Sequence, residues 1–291
     1  MTARIDLAVP AVRWLRQKAT LKEGTVLQSF AVDEVHGHLY VLQLRRGGGK
    51  AGNLCLNRLD LQGGRLGHMY LQGFGHGVSL GVQHASDGTV WIWTEADAED
   101  GYGRGVTRFR FFDGAVRTTK DVKVRHPIPG STGNQPSVCM ATKRIAVRHR
   151  VDGTPRYRVW DLDAFVARDY SEPLADFAQT GTHPDPDIPF QGYALHGDLV
   201  YQLAGTAYDA KANPPAKHGN AHLSCLDIRT GKLIQRRRTE AGHSLDFREP
   251  EGLAVRHGAG PGPRLLLGLA SGAAGERRFS IYYKQGKPGA A

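Results

Sequence analysis

Cysteine is scarce in this sequence: Cys55, Cys139 and Cys225 are the 3 among 291 residues. An odd number without paired spacing excludes a disulfide framework and matches no zinc-ligand pattern. Apolar neighbours, as in Leu54-Cys55-Leu56 and Ser224-Cys225-Leu226, mark the thiols as small buried hydrophobes. No run approaches the ~18 apolar residues of a membrane span, and Met-Thr-Ala-Arg-Ile-Asp at the start lacks an apolar signal core. The chain as written is expected to be cytoplasmic and not membrane-inserted, or extracellular if a signal has been removed from it. Helical patterning is equally thin, with Asp163-Ala164-Phe165-Val166-Ala167 its best and short example.

Glycine, by contrast, is abundant, with 37 residues dispersed among short apolar runs. That combination indicates many turns and therefore many strands. There are 38 Lys and Arg against 28 Asp and Glu, a formal charge of +10. The excess favours polyanionic partners, or simply solubility. Its densest run, Arg236-Arg237-Arg238, adjoins an expected strand and reads as a solvated sheet edge.

One unit recurs: a polar residue, a small residue or proline, an apolar strand, a turn and a second apolar strand. Its leads are Gln28, His76, Gln135, Gln191 and Glu251, spaced 48 to 60 residues apart. A second hairpin follows in most units, as in Leu59-Asp60-Leu61-Gln62-Gly63-Gly64 and Leu226-Asp227-Ile228-Arg229-Thr230-Gly231. Two hairpins per unit make a four-stranded blade. The expectation is an all-β chain, 1–291, forming a single five-bladed β-propeller. The fifth unit is short, so residues 11–20 are expected to complete it and close the ring, leaving 285–291 as a disordered tail. Stretches 99–105, 176–190 and 207–220 read as rim loops.

In a propeller the innermost strands line a central channel, so the five lead residues should form a polar ring at its mouth. Convergent polar groups are the default site signature, although each could instead satisfy backbone groups and channel water. Within Arg248-Glu249-Pro250-Glu251-Gly252 the two carboxylates share a side of an extended chain and could divide acid and base roles with His76. His76, Glu251 and Glu249 are the catalytic candidates. Gln28, Gln135, Gln191, Arg148, Arg248, Tyr193 and Trp93 are the ligand-binding ones. No cofactor is expected, and the one cation arrangement considered joins Glu249 and Glu251 to His76. Gly77-Val78-Ser79-Leu80-Gly81 matches a nucleophile-elbow pattern but lies within one strand, where the motif's mechanics fail. His36-Gly37-His38 is a natural turn without ligand spacing.

The segments Thr25-Val26-Leu27-Gln28-Ser29-Phe30, Gly73-Phe74-Gly75-His76-Gly77-Val78-Ser79, Phe190-Gln191-Gly192-Tyr193 and Phe247-Arg248-Glu249-Pro250-Glu251-Gly252 resemble the actinobacterial teichoic-acid biosynthesis protein C family. That group is related to the propeller of phage tail receptor-binding proteins, and the resemblance spans roughly residues 20–284. It implies a five-bladed propeller connected with wall teichoic acid or a similar phosphate-rich glycopolymer. The leading expectation is therefore binding or processing of an anionic sugar- or polyol-phosphate ligand at the channel mouth by a monomer without specific nucleic-acid affinity. A metal-independent lyase or cyclase using the same pocket, and a protein-interaction scaffold, are the alternatives.

Overall fold

The structure, a computed structural model, describes residues 2–258 and 260–287. Its strands form five sheets around a central axis. After β1 (Val12–Lys18), the first blade comprises β2 (Leu27–Asp33), β3 (His38–Leu44), β4 (Leu54–Asp60) and β5 (Arg65–Gln72). The second holds β6 (Gly81–His84), β7 (Val90–Glu99) and β8 (Tyr102–Phe109), followed by a short β9 (Val116–Thr118). The third contains β10 (Thr132–Cys139), β11 (Arg144–Val151), β12 (Thr154–Asp161), a short helix α1 (Leu162–Ala167) and β13 (Ala175–Ala178). The fourth has β14 (Phe190–His196), β15 (Leu199–Ala204), β16 (His222–Asp227) and β17 (Leu233–Arg238). The fifth has β18 (Glu249–Arg256), β19 (Arg264–Ser271) and β20 (Arg278–Gln285).

Burial falls from axis to rim. Every residue of the inner strand β2 is buried, whereas β1 and β17 are mostly exposed or half-buried. Inner strands are covered on both faces by neighbouring blades, so apolar residues run on without strict alternation. The Arg236–Arg238 run lies on β17, the outermost strand of its sheet. Aspartates set the hairpins: Asp60 Oδ1 accepts from Gln62 N and Gly64 N, and Asp227 Oδ1 from Arg229 N and Thr230 N. Asp161 likewise caps α1 through the N–H groups of Asp163 and Ala164.

The ring closes where β1 pairs antiparallel with β20, Val12 opposite Tyr283. Residues ahead of β1 add to this closure, since Ile5 and Leu7 are buried between the last two blades. Three expectations need correction. Gln285 ends β20 and its side chain donates to Gly262 O, so this residue belongs to the last blade and not to a tail; 288–291 lie outside the described residues. The stretch 99–105 is the tight β7–β8 hairpin rather than a rim loop, because Glu99 pairs with Tyr102. The second inner strand begins at Gly81, which leaves His76 in the loop before it.

The outer strand of the second blade is diverted. β9 pairs in parallel with β5 of the first blade, giving sheets of five and three strands. The outer edge of β8 is then met by a single bridge, Val106 to Arg125.

Around the axis the inner strands approach backbone to backbone. A Cβ on Gly192 would lie 2.8 Å from Gly252 Cα, and one on Gly252 (φ +74°) 2.8 Å from Ser29 Cα. Serines stitch successive blades: Ser29 Oγ donates to Gly77 O at 2.6 Å, Ser79 Oγ to Pro136 O at 2.7 Å, and Leu195 N donates to Ser137 Oγ at 3.0 Å. Ser79, in the elbow-like sequence, is therefore an inter-blade tie.

Gly114 has a similar φ of +70° with nothing near its missing Cβ. Gly114→Ala should cost only backbone strain, ~1 kcal/mol. Gly252→Ala adds a backbone collision and should cost about 2 kcal/mol more. Urea unfolding of the two variants measures the difference; equal losses would remove close approach as the reason for glycine at 252.

Candidate functional site

The channel mouth is built by interruptions in the inner strands. Pairing with the second strand shifts between Leu27 and Ser29, Thr132 and Gln135, Phe190 and Gly192, and Pro250 and Leu253. Gln28, Gln191 and Glu251 thus stand at bulges, which re-aim a side chain out of the ladder. The lead positions recur because four of the blades break their pairing where the inner strand enters the channel, whereas β6 of the second blade pairs without a shift and its lead, His76, precedes it.

Arg148, on β11, is nearly buried here. Its Nη1 donates to Gln135 Oε1 at 3.0 Å, its Nε to Gln179 Oε1 at 2.9 Å, and its guanidinium lies 4.0 Å from the centre of the Phe190 ring. His76 stacks on Tyr102 with ring centres 5.5 Å apart. Burial and the nearby Arg150 hold its imidazole below the usual range. Under this stack lies a carboxyl that the sequence reading passed over. Glu95 accepts N–H bonds from Gly77 at 2.7 Å, His76 at 3.1 Å and Gly103 at 2.7 Å. Burial nevertheless pushes it up to about 7. Gly75 makes room for it, since a Cβ there would collide with the Glu95 side chain.

Glu251 is 5% exposed, and burial together with the neighbouring Glu249 raises its carboxyl well above the normal range. Glu249 is raised less, by burial opposed by Arg277. The mouth therefore favours protonated carboxyls, amides and an uncharged imidazole, a set suited to hydroxyl groups.

Several predicted contacts are structural. Trp93 is fully buried between the second and third blades, and its Nε1 donates to Gln83 Oε1. Tyr193 is buried with its hydroxyl 2.7 Å from Gln135 O and 2.9 Å from Ala146 O. Arg248 is wholly buried and donates to Ala241 O and Thr239 O. None of these three presents a surface to a ligand. Gln135 is 1% exposed and Gln28 5%, while Gln191 Nε2 donates to Gly205 O. The ring is thus partly self-satisfied.

A second opening lies on the outer side of the second blade, beside the edge that β9 vacates. This cleft of about 660 Å³ is lined by Arg108, Arg110, Arg117, Lys123, Arg125 and Arg168, together with Trp91 and Phe112. Aromatic faces hold the guanidiniums: Arg108 lies 4.5 Å from the Trp91 ring centre, and Arg110 and Arg117 lie 5.4 and 5.3 Å from that of Phe112. The one acid in the lining, Asp121, turns its carboxylate to Thr118 N and Oγ1. Among the described residues no ion pair involves these six cations. Arg125 Nε is buried without a hydrogen-bond partner. The cleft's sequence signal is Arg108-Phe109-Arg110-Phe111-Phe112 with the basic residues that follow, a more dispersed pattern than Arg236-Arg237-Arg238.

The family described as the phage 5-bladed beta propeller receptor binding platform domain matches residues 26–283. A Bacillus subtilis (strain 168) protein named for major teichoic acid biosynthesis, protein C, is 27% identical over 276 residues, covering 89% of this chain and 59% of its own length. The tail fiber of Staphylococcus aureus phage P68 superposes with a TM-score of 0.73 at 19% identity, covering 94% of this chain and 52% of the fiber. The chain thus spans between half and three fifths of these relatives. A GH43_1 enzyme from Xanthomonas citri shares the fold alone, with a TM-score of 0.53 at 12% identity over 94% of each chain.

The carboxyls make stability depend on pH in a stated direction. A buried carboxyl with a raised value keeps its proton when the unfolded chain has lost it near 4.5. Its contribution is therefore favourable at low pH and lost as pH rises through that window towards neutrality. Glu251→Gln should leave the melting point unchanged at pH 5 and raise it at pH 8 by about 2–4 °C, on the order of 1 kcal/mol. A shift of equal size at both pH values would show that Glu251 is ionised in the fold.

Proposed function

Since the chain belongs to the phage five-bladed β-propeller receptor-binding platform family, we propose that it binds a phosphate-bearing wall glycopolymer, with the basic cleft of the second blade as the main contact. The carrying observation is six cations without an ion pair around one opening, five of them spaced along residues 108–125. Repeated phosphodiesters present regularly spaced anions, and guanidiniums held on aromatic faces meet them with little ordering cost. The charge of +10 adds attraction at a distance. The relative named for teichoic acid biosynthesis and the phage fiber agree with such a ligand.

The channel mouth offers a second contact for sugar or polyol hydroxyls through Gln28, Gln191 and His76. Processing is the second reading, favoured by the opposite displacement of His76 and Glu251: an imidazole kept uncharged and a carboxyl kept protonated are available as base and acid near neutral pH. Turnover of the polymer abolished by both His76→Ala and Glu251→Gln would support it.

The binding reading is tested with glycerol-phosphate and ribitol-phosphate oligomers, using the phosphate-free polyols as controls. Arg110→Glu with Arg117→Glu should weaken binding on the order of tenfold or more, and wild-type affinity should fall as salt rises. Phosphate-free controls that bind as well, or a double variant that binds unchanged, would overturn the assignment.

A further inference from the structure

The opposite end of the channel has a different chemistry. Each inner strand ends at a residue able to hold a metal: Asp33 ends β2, His84 ends β6, Cys139 ends β10 and His196 ends β14. His257 follows the last residue of β18. Propeller symmetry brings these five positions together, although they are far apart in sequence.

The ring divides in two. Asp33 is already engaged, binding His84 Nε2 at 2.8 Å and His36 Nδ1 at 3.0 Å while accepting N–H bonds from Val35 and His36. Cys139, His196 and His257 form the other group, with one ligand atom from each inside a common 4.8 Å. Cys139 and His196 are 3% and 4% exposed.

Two further observations point to a ligand there. His196 Nε2 lies 3.1 Å from Ala3 O, a bond that only a protonated nitrogen can make, so its Nδ1 carries the free electron pair. That Nδ1 is buried and has no hydrogen-bond partner. A backbone carbonyl orienting the remote nitrogen while the near one stays free is the arrangement of a metal-bound histidine. Cys139 Sγ accepts from Gly197 N at 3.4 Å, a contact that suits thiolate. Glu34 accepts from His257 N at 2.6 Å and so fixes the backbone that carries the third ligand.

We propose that Cys139, His196 and His257 bind a zinc ion, its fourth position open to the channel. A tetrahedral zinc with bonds of about 2.0–2.3 Å holds ligand atoms roughly 3.4–3.6 Å apart, a small contraction of the observed cluster. The thiol proton leaves to solvent on binding, and both imidazoles bind uncharged. The fourth position faces a cavity of about 360 Å³ whose walls include Leu80, Val82, Leu195 and Leu253. Three protein ligands and one open site in an apolar chamber are the pattern of a Lewis-acidic zinc rather than a closed structural one. This departs from the metal-free expectation of the sequence, where one cysteine and two histidines on three blades showed no local spacing. It is independent of the basic cleft.

Untagged full-length protein is dialysed against zinc or cobalt(II), desalted, and assayed for bound metal. One equivalent per chain is expected, and the cobalt form should show tetrahedral visible bands with a thiolate-to-metal charge-transfer band in the near ultraviolet. Cys139→Ser should abolish the charge-transfer band. His257→Gln, at a half-buried position, should lose the bound metal at the same free concentration. Wild-type protein that retains no metal overturns the site whatever the variants do. So does a cobalt spectrum without the thiolate band, or one unchanged in folded Cys139→Ser.

Discussion

Backbone contact around the channel axis governs the rest of this molecule. Gly192 rests on Gly252, and Gly252 on Ser29, at distances that exclude any side chain. Once the inner strands are that close, their remaining polar groups must be satisfied across blade boundaries. The serine hydroxyls of Ser29 and Ser79 do this by donating to carbonyls of the next blade. The same crowding explains why pairing breaks near the lead residues: a chain turning into a narrow channel cannot also keep register with its neighbour. The mouth ring is thus a by-product of closing five blades, and its chemistry comes from the side chains placed there.

Much of this was legible because a propeller repeats. Lead residues, second strands and Asp–Gly turns recur in order, and four of the five leads fall within inner strands. His76 broke the pattern because its three flanking glycines, Gly73, Gly75 and Gly77, let the chain reach Glu95 before β6 begins. The closure by β1 was legible from an unpartnered apolar segment, whereas the diversion of β9 was not. Its three residues have no distinctive pattern, and their pairing with β5 is decided by the geometry between two blades. Trp93, Tyr193 and Arg248 were misread for a general reason. Strand alternation says which side of a sheet a residue faces, but two blades face each other across every sheet.

The base of the channel was hidden by distance in sequence. Cys139 looks like Cys55 and Cys225 when only its neighbours in the chain are read. In the fold, burial pushes Cys55 and Cys225 up to about 12. Burial would raise Cys139 too, yet contacts with His196 and His257 bring it down to about 5. Aligning strand ends instead of strand starts would have exposed the set Asp33, His84, Cys139, His196 and His257. Each copy of the repeat carries polarity at both ends of its inner strand, and only the first end was read.

Charge is distributed according to the cost of drying it. Within the propeller a guanidinium is tied to protein acceptors, as Arg248 is through Nε and Nη2 to the carbonyls of Ala241 and Thr239 while its Nη1 stays buried without a partner, or Arg148 to Gln135 and Gln179 over the Phe190 face. Such a group has little left to offer an anion. The cations beside β8 are different: Arg110, Lys123 and Arg168 are exposed, and Arg108 and Arg117 are half-buried on aromatic rings. They keep much of their hydration and most of their donors, so an anion meeting them would replace water instead of displacing protein contacts. A propeller whose axis is closed by backbone contact has little room for a charged polymer there. The vacated edge of the second blade leaves such room, and the cations along it stay hydrated.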